Sequence, residues 1–398
     1  MTSHRGNVLI GQSGGPTAVI NQSLVGLIET ALGAPQVGRI LGAVHGIRGV
    51  LEDRLIDLGK ETRENLAAVA STPCAALRSV RKKPTRDECA AVLSALRRHA
   101  VRYFFYIGGN DSAETAHLLN ELAVEEKYEI ALFHVPKTID NDLRENDHCP
   151  GYGSAARFVA QAFQGDEQDN RSLPGIKIDV VMGRHAGWLT AASVLARDHA
   201  DSGPHLVYLP ERDFDLDRFA ADVERIHRQL GRCLVAVSEG IHGPGGKLLF
   251  EVAERDSHGN AQLSGSGALG DFLSTQIKKR LGDKLRVRAD TFGYLQRSFP
   301  GAVSPVDAAE AREVGRFAMR TALEGKHAHG SIALQREGGA AYAPRYAVVE
   351  LASVAKHTRP LDPQFLAGDE GVTEKFLDYV RPLVGPLPRM ARLADHPV

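Results

Sequence analysis

Pro136-Lys137-Thr138-Ile139-Asp140-Asn141-Asp142 places one cation, one hydroxyl and two carboxylates on a single short stretch. One carboxylate can take a proton from an alcohol, a second can hold a divalent cation, and an ammonium can offset charge on a departing phosphate. The set therefore suits phosphoryl transfer to a hydroxyl. The competing reading is a solvated turn, because Asp and Asn form turns whatever the function. The run before it, Ile130-Ala-Leu-Phe-His-Val135, reads as a buried parallel strand. Ligand chemistry in open α/β sheets collects at the carboxyl ends of such strands, so Asp140 and Asp142 are expected to face a crevice.

Two further stretches follow the same order of strand, glycine turn and helix. Asn7–Ile10 is an apolar strand, Gly11-Gln-Ser-Gly-Gly-Pro-Thr17 a turn, and Val19, Ile20, Leu24, Leu27 and Ile28 fall on one helical face. Gly14 and Gly15 would let backbone N–H groups approach an anion, with the positive end of a helix behind them. The loop has neither the Lys-Ser/Thr ending of a Walker loop nor the Gly-x-Gly-x-x-Gly order of a dinucleotide fold, so by itself it is equally a tight turn. Later, Tyr103–Ile107 is a strand, Gly108-Gly109-Asn110-Asp111-Ser112 a turn, and Ala113–Leu122 a helix with Ser112 as its expected N-cap. Asn110 and Asp111 stand where side chains reach a metal–phosphate group. Three phosphate-compatible loops at strand ends outweigh three coincidental turns.

Gly11–Thr17, Gly108–Ser112, Pro136–Asp142, Met182-Gly-Arg-His-Ala-Gly187, Ser238-Glu-Gly240 and Gly293-Tyr-Leu-Gln-Arg297 occur in the order found in phosphofructokinases, and the chain resembles that family over most of its length. The resemblance implies an α/β chain of two Rossmann-like three-layer lobes with mostly parallel sheets. It also implies Mg²⁺-dependent phosphorylation of the 1-hydroxyl of fructose 6-phosphate, from ATP or pyrophosphate. ATP-using members usually read Gly-Gly-Asp-Gly in the second loop and Pro-Gly at the start of the third. Asp111 and Lys137 at those places resemble the pyrophosphate-dependent branch: Asp111 adds bulk and charge where a nucleotide's α-phosphate would pass, and Lys137 supplies a cation near the transferred group.

By the same resemblance Asp140 is the general base, and Thr138 hydrogen-bonds near the transferred phosphoryl. Gly14, Gly15, Gly109 and Arg81 contact the donor; the alternative for Arg81-Lys82-Lys83 is a solvated basic face. Asn110 and Asp142 are the metal ligands, although Asn110 replaces an aspartate of ATP-using relatives. Met182, Gly183, Arg184 and Glu239 bind the sugar, while Tyr294 and Arg297 bind its 6-phosphate. Arg288 is expected to reach that phosphate across a subunit interface, with Lys177 or Arg171 as the second cation there. A homodimer or homotetramer follows.

The elements that must position these groups set the domain organisation. In 398 residues the chain can bury a large core and is expected to form two lobes: a donor lobe of 1–151 plus about 296–346, and a sugar-phosphate lobe of about 152–295 plus 347–398. Ser304-Pro-Val-Asp307 reads as the start of a helix running on through Ala308–Leu323. Gly243–Gly246 and 256–265 read as loops.

With 48 Lys+Arg against 49 Asp+Glu there is no general bias towards nucleic acid. No apolar run approaches the roughly 18–20 residues of a membrane span, and the N-terminus leads straight into the first strand, so a cytoplasmic protein is expected. Cys74, Cys89, Cys149 and Cys233 are widely spaced and read as free thiols. Against a pyrophosphate-dependent phosphotransferase stand an ATP-dependent kinase, a kinase for another ketose phosphate such as sedoheptulose 7-phosphate, and a non-catalytic sugar-phosphate-binding subunit.

Overall fold

In three neighbouring strands of the first sheet, successive side chains enter two different buried cores. In β1 (Gly6–Gln12), Val8 and Ile10 face one way and Leu9 the other. After β2 (Val37–Ala43) and β3 (Leu55–Asp57) comes β4 (Val101–Gly108), where Tyr103, Phe105 and Ile107 oppose Phe104 and Tyr106. In β5 (Ala131–Pro136), Phe133 and Val135 oppose Leu132. Each strand is apolar on both sides because helices cover both faces. Leu24, Leu27 and Ile28 of the helix Ile20–Ala31 and Val314, Ala318 and Met319 of the helix Pro305–Glu324 cover one face. Val92, Leu93 and Leu96 of the helix Arg86–Arg98 and Leu119 of the helix Asn110–Glu125 cover the other. The computed structural model describes residues 5–247, 249, 265–338, 341–368 and 371–394. Of the loops expected above, 256–264 lies outside these residues.

The second unit has a four-stranded parallel sheet of β6 (Ile176–Val181), β7 (Leu206–Tyr208), β8 (Cys233–Ser238) and β9 (Val287–Thr291), in the order β7-β8-β6-β9. The first sheet is completed by β10 (His329–Arg336) and β11 (Pro344–Val349) and runs β11-β10-β5-β4-β1-β2-β3. Only its outer strands β3 and β11 pair antiparallel. This is the mostly parallel α/β architecture expected of a phosphofructokinase.

The order β5-β4-β1 has a direct chemical consequence. These three strands are parallel neighbours, with Gln12 beside Ile107 and Gly108 beside Pro136. Their carboxyl ends lie in one row, and the three phosphate-type loops leave from that row.

The chain changes unit at Ala155/Ala156, within the helix Tyr152–Ser172, again at Gln296/Arg297, and at Arg359/Pro360. The last change falls later than residue 346. That position lies inside β11, and Leu351 and Val354 beyond it bury in the first unit's cores.

Candidate active site

A buried amide network aligns the first loop. Gln12 accepts from Leu77 N at 2.8 Å and donates to Asn21 Oδ1 at 3.1 Å; Asn21 Oδ1 also accepts from Ala76 N, and its amide donates to Thr72 O. Gly14 N donates to Val80 O at 3.1 Å, and Ser79 Oγ donates to Gly14 O at 2.6 Å. These bonds lay residues 72–81 along the loop and bring Arg81 to it. A methyl on Gly15 would stand 2.8 Å from Arg297 Nη1 and 3.7 Å from Arg81 Nη2, so the bare α-carbon lets the Arg297 guanidinium lie close against the loop with Arg81 beside it. Lys82 and Lys83 turn instead to Glu88 and Glu114. The expected helix behind the loop begins only at Ile20, so Gly14 and Gly15 lie ahead of its first turn.

The third loop meets the first through Lys137. The residue is 2 % exposed, and its ammonium donates to Gly15 O at 2.6 Å. Burial, and secondarily Arg297, pulls its pKa down to about 7 against the opposing pull of Asp140. Lys137 N donates to Gly108 O at 3.0 Å, the same oxygen that lies 2.9 Å from His134 Nε2. His134 Nδ1 is 2.8 Å from Ser331 Oγ, and burial drives this imidazole down to about 4, so it is a neutral strut between β4, β5 and β10.

Asn110 Nδ2 donates to Asp142 Oδ2 at 3.0 Å. Asn110 Oδ1 is buried with no hydrogen-bond partner among the described residues. Burial and the neighbouring Asp140 push the Asp142 carboxyl up to about 7. Thr138 Oγ1 accepts from Asp140 N at 3.1 Å, which leaves its own proton for another acceptor.

The second loop departs from expectation at its helix. The helix begins at Asn110 with Gly109 as N-cap, not at Ser112. Two glycines let the chain turn early, and the Ser112 side chain packs back over Gly108. Asp111 is then exposed in the first helical turn.

In the second unit the expected sugar-binding segments interlock through backbone. β6 and β8 pair with Val181 beside Ser238. Ser238 Oγ donates to Gly183 O at 2.6 Å, Gln296 Oε1 accepts from Met182 N at 3.1 Å, and Glu239 N donates to Val181 O at 2.8 Å. Glu211 accepts from Gly187 N at 2.8 Å. Arg184 is half-buried and Glu239 buried.

The structure thus brings together Gly14, Gly15, Arg81, Gly109, Asn110, Lys137, Thr138, Asp140, Asp142 and Arg297 in the first unit. Met182, Gly183, Arg184 and Glu239 gather in the second. Arg297, expected with the sugar phosphate, has its guanidinium beside Gly15. Tyr294 is 42 % exposed beyond the edge strand β9, and Arg288 on β9 is ion-paired to Asp169 at 2.6 Å. Lys177 is buried against Asp166, Asp179 and Asp290, and Arg171 pairs with Asp201 at 3.0 Å.

Sequence reasoning left out Gln296 and Ser238 as supports, although both are polar residues inside the motifs that carried the resemblance. It also left out Arg359, whose Nη2 donates to Asn141 O at 3.0 Å from 218 positions away.

The phosphofructokinase family profile matches residues 7–322. The chain belongs to the phosphofructokinase family. It is 51 % identical over 400 residues to a pyrophosphate--fructose 6-phosphate 1-phosphotransferase of Rhodospirillum rubrum, covering 99 % of this chain and 98 % of that protein. A protein of the same name from Xanthomonas campestris is 40 % identical, over 95 % of this chain and 91 % of the relative. Among solved structures, the pyrophosphate-dependent phosphofructokinase of Marinobacter aquaeolei aligns with a TM-score of 0.85 at 32 % identity, over 97 % of this chain and 93 % of that one. Phosphofructokinases generally need a divalent metal. Among the described residues no helix is long and apolar enough to cross a membrane.

Proposed function

We propose that this phosphofructokinase transfers a phosphoryl group reversibly between pyrophosphate and the 1-hydroxyl of fructose 6-phosphate, giving fructose 1,6-bisphosphate and phosphate. The observation that carries the donor assignment is the Lys137 ammonium seated 2.6 Å from Gly15 O, between the loops that would cradle the phosphates. With Arg81 and Arg297 flanking the same glycine, three cations converge where a small, highly charged diphosphate needs them. Asp111, exposed at the head of its helix, sets a carboxylate against a nucleotide's extra phosphate. The names of the two relatives described above agree with this reading.

Asp140 takes the proton from the 1-hydroxyl as that oxygen attacks the terminal phosphorus. The P–O bond to the bridging oxygen breaks, and the electron pair leaves with phosphate. Lys137 meets the charge that develops on the leaving phosphate, and the negative donor in turn holds Lys137 in its charged form. Thr138 donates to a transferring oxygen. In the opposite direction the same groups act with their proton roles reversed.

Asn110 Oδ1 and Asp142 fit a hard divalent cation: one is a buried acceptor lacking a donor among the described residues, the other a carboxylate held beside it. A neutral oxygen and one carboxylate suit Mg²⁺, which keeps several waters. Bound there, the ion would neutralise oxygens of the donor phosphates. Met182, Gly183, Arg184 and Glu239 bind the sugar. Tyr294 contacts its 6-phosphate, with Arg288 supplied by a partner in a homodimer or homotetramer. Initial rates with fructose 6-phosphate, Mg²⁺ and either donor test the proposal, and sedoheptulose 7-phosphate in place of the hexose tests the acceptor. Turnover with pyrophosphate and not with ATP is expected; turnover with ATP alone rejects it.

A further inference from the structure

The loop carrying Asp140 and Asp142 is closed on itself. Thr138 and Gly151 form a β-bridge, Thr138 N donates to Pro150 O at 3.2 Å, and Cys149 N donates to Asn141 Oδ1 at 3.0 Å across the loop. Asn141, between the two aspartates, lies in the left-handed region with φ 57° and is tied by its side chain to Cys149, so the setting of both aspartates depends on how the returning limb of the loop is held. That returning limb is held by two elements.

Asp307, in the first turn of the helix Pro305–Glu324, accepts from Gly151 N at 2.8 Å and from Ser154 N at 2.9 Å. On β10, Leu334 N donates to Asn146 Oδ1 at 2.9 Å, Asp147 N donates to Leu334 O at 2.7 Å, and Arg336 donates to the Asp147 carboxylate through Nε and Nη2. Between these two elements stands His148, whose Nδ1 is 2.8 Å from Asp147 Oδ2 and whose Nε2 is 2.7 Å from Glu310 Oε2. Glu310 lies three residues beyond Asp307 on the same buried helix face.

Both imidazole nitrogens face carboxylate oxygens, and only the doubly protonated ring can donate to both. Burial acts to lower the His148 pKa, and its bonds to Asp147 and Glu310 more than offset this and leave it raised. The other groups around it are Tyr342, whose hydroxyl donates to Glu310 and lies 3.2 Å from His148 Nε2, Arg336 behind Asp147, and Asp307 behind Glu310.

We propose that His148 is a positioning residue: as an imidazolium clasped between Asp147 and Glu310, it locks the returning limb of the 138–151 loop to the helix Pro305–Glu324 and so fixes Asp140 and Asp142 for phosphoryl transfer. This rests on the reading that those two aspartates do the chemistry. A neutral imidazole has one donor, so one carboxylate would then meet a lone pair and the clasp would loosen. The imidazolium is complete below the ordinary histidine range and is lost as pH rises through the raised value.

Steady-state rates of the full chain, measured with whichever of pyrophosphate or ATP supports turnover, test this in His148→Gln and Glu310→Gln. Misplacement of a reacting group by about 1 Å can cost on the order of 100-fold, so kcat should fall about 10- to 100-fold with both KM values within about threefold. The ratio of wild-type to His148→Gln kcat should shrink towards one as pH rises, because the wild type then loses the same charge. Titrations shared by both proteins, such as that of Lys137, cancel in this ratio. Unchanged kcat, a loss carried by KM alone, or a ratio constant at every pH overturns the proposal. If His148→Gln does not fold, Glu310→Gln decides by the same kcat and KM criteria. Absence of wild-type turnover with pyrophosphate refutes the donor assignment instead, and the His148 test then runs on ATP.

Discussion

The loops of the first unit and those of the second are built on opposite plans. Around Gly15, the proposed donor site rests on buried charge: Lys137 and Asp142 are both brought to about 7 by burial, so their charge states would respond to whatever binds beside them. Around Gly183, it hangs on backbone shape: Ser238, Gln296 and Glu211 hold main-chain atoms, and Gly240 packs directly against the Arg184 carbonyl. The first plan suits a site where charge moves during reaction, the second a site that must only recognise. Changes in the first unit should therefore act on kcat, and those in the second on KM.

The largest effect should come from Asp140→Asn, which keeps the size of the side chain and removes the proposed base: kcat should fall about 10²–10⁴-fold with little change in KM. A KM effect alone would place Asp140 in recognition rather than chemistry. Next, Lys137→Gln should lower kcat with pyrophosphate about 10²–10³-fold, the cost typical of losing one preorganised charge-stabilising donor.

Lys137 also sets an alkaline limb. Its pKa is lowered to about 7, so the cation is present below that pH and lost above it. The pH profile of kcat/KM for pyrophosphate, which reports the free enzyme, should fall above about pH 7, and Lys137→Arg should flatten that fall. Asp142 has the opposite sign: with its pKa raised to about 7 it is ionised only above that pH. The Mg²⁺ concentration giving half-maximal rate should accordingly rise as pH drops below about 7, and Asp142→Asn should abolish that dependence. The smallest effect is expected in the second unit, where Ser238→Ala removes the bond to Gly183 O and the longer one from Gly240 N, together worth about 1–2 kcal/mol, and should raise KM for fructose 6-phosphate about 5- to 30-fold with kcat kept. A comparable loss in kcat would dissolve the contrast between the two plans.

The three phosphate-type loops were legible because each has its signature in consecutive residues: an apolar run, glycines, then helical spacing. Ser304 as N-cap of the helix Pro305–Glu324 was legible for the same reason. The helix start at Asn110 was misread, since Ser112 has the chemistry of a cap but lies behind two glycines that let the turn close sooner. The supports were hidden for a different cause. Arg359, His148 with Glu310, and Asp307 with Gly151 act across 156 or more positions, and no local pattern announces such pairings. The placement of Arg297 beside Gly15 likewise depends on the chain's return to the first unit at that residue. The shifted states of Lys137 and Asp142 follow from burial, which a motif does not specify.

The most direct test puts fructose 6-phosphate, Mg²⁺, pyrophosphate and ATP together with the purified protein and follows each by ³¹P NMR. The account predicts that the pyrophosphate resonance disappears as phosphate and fructose 1,6-bisphosphate grow, with the ATP signals unchanged. Conversion of ATP to ADP while pyrophosphate persists would contradict it.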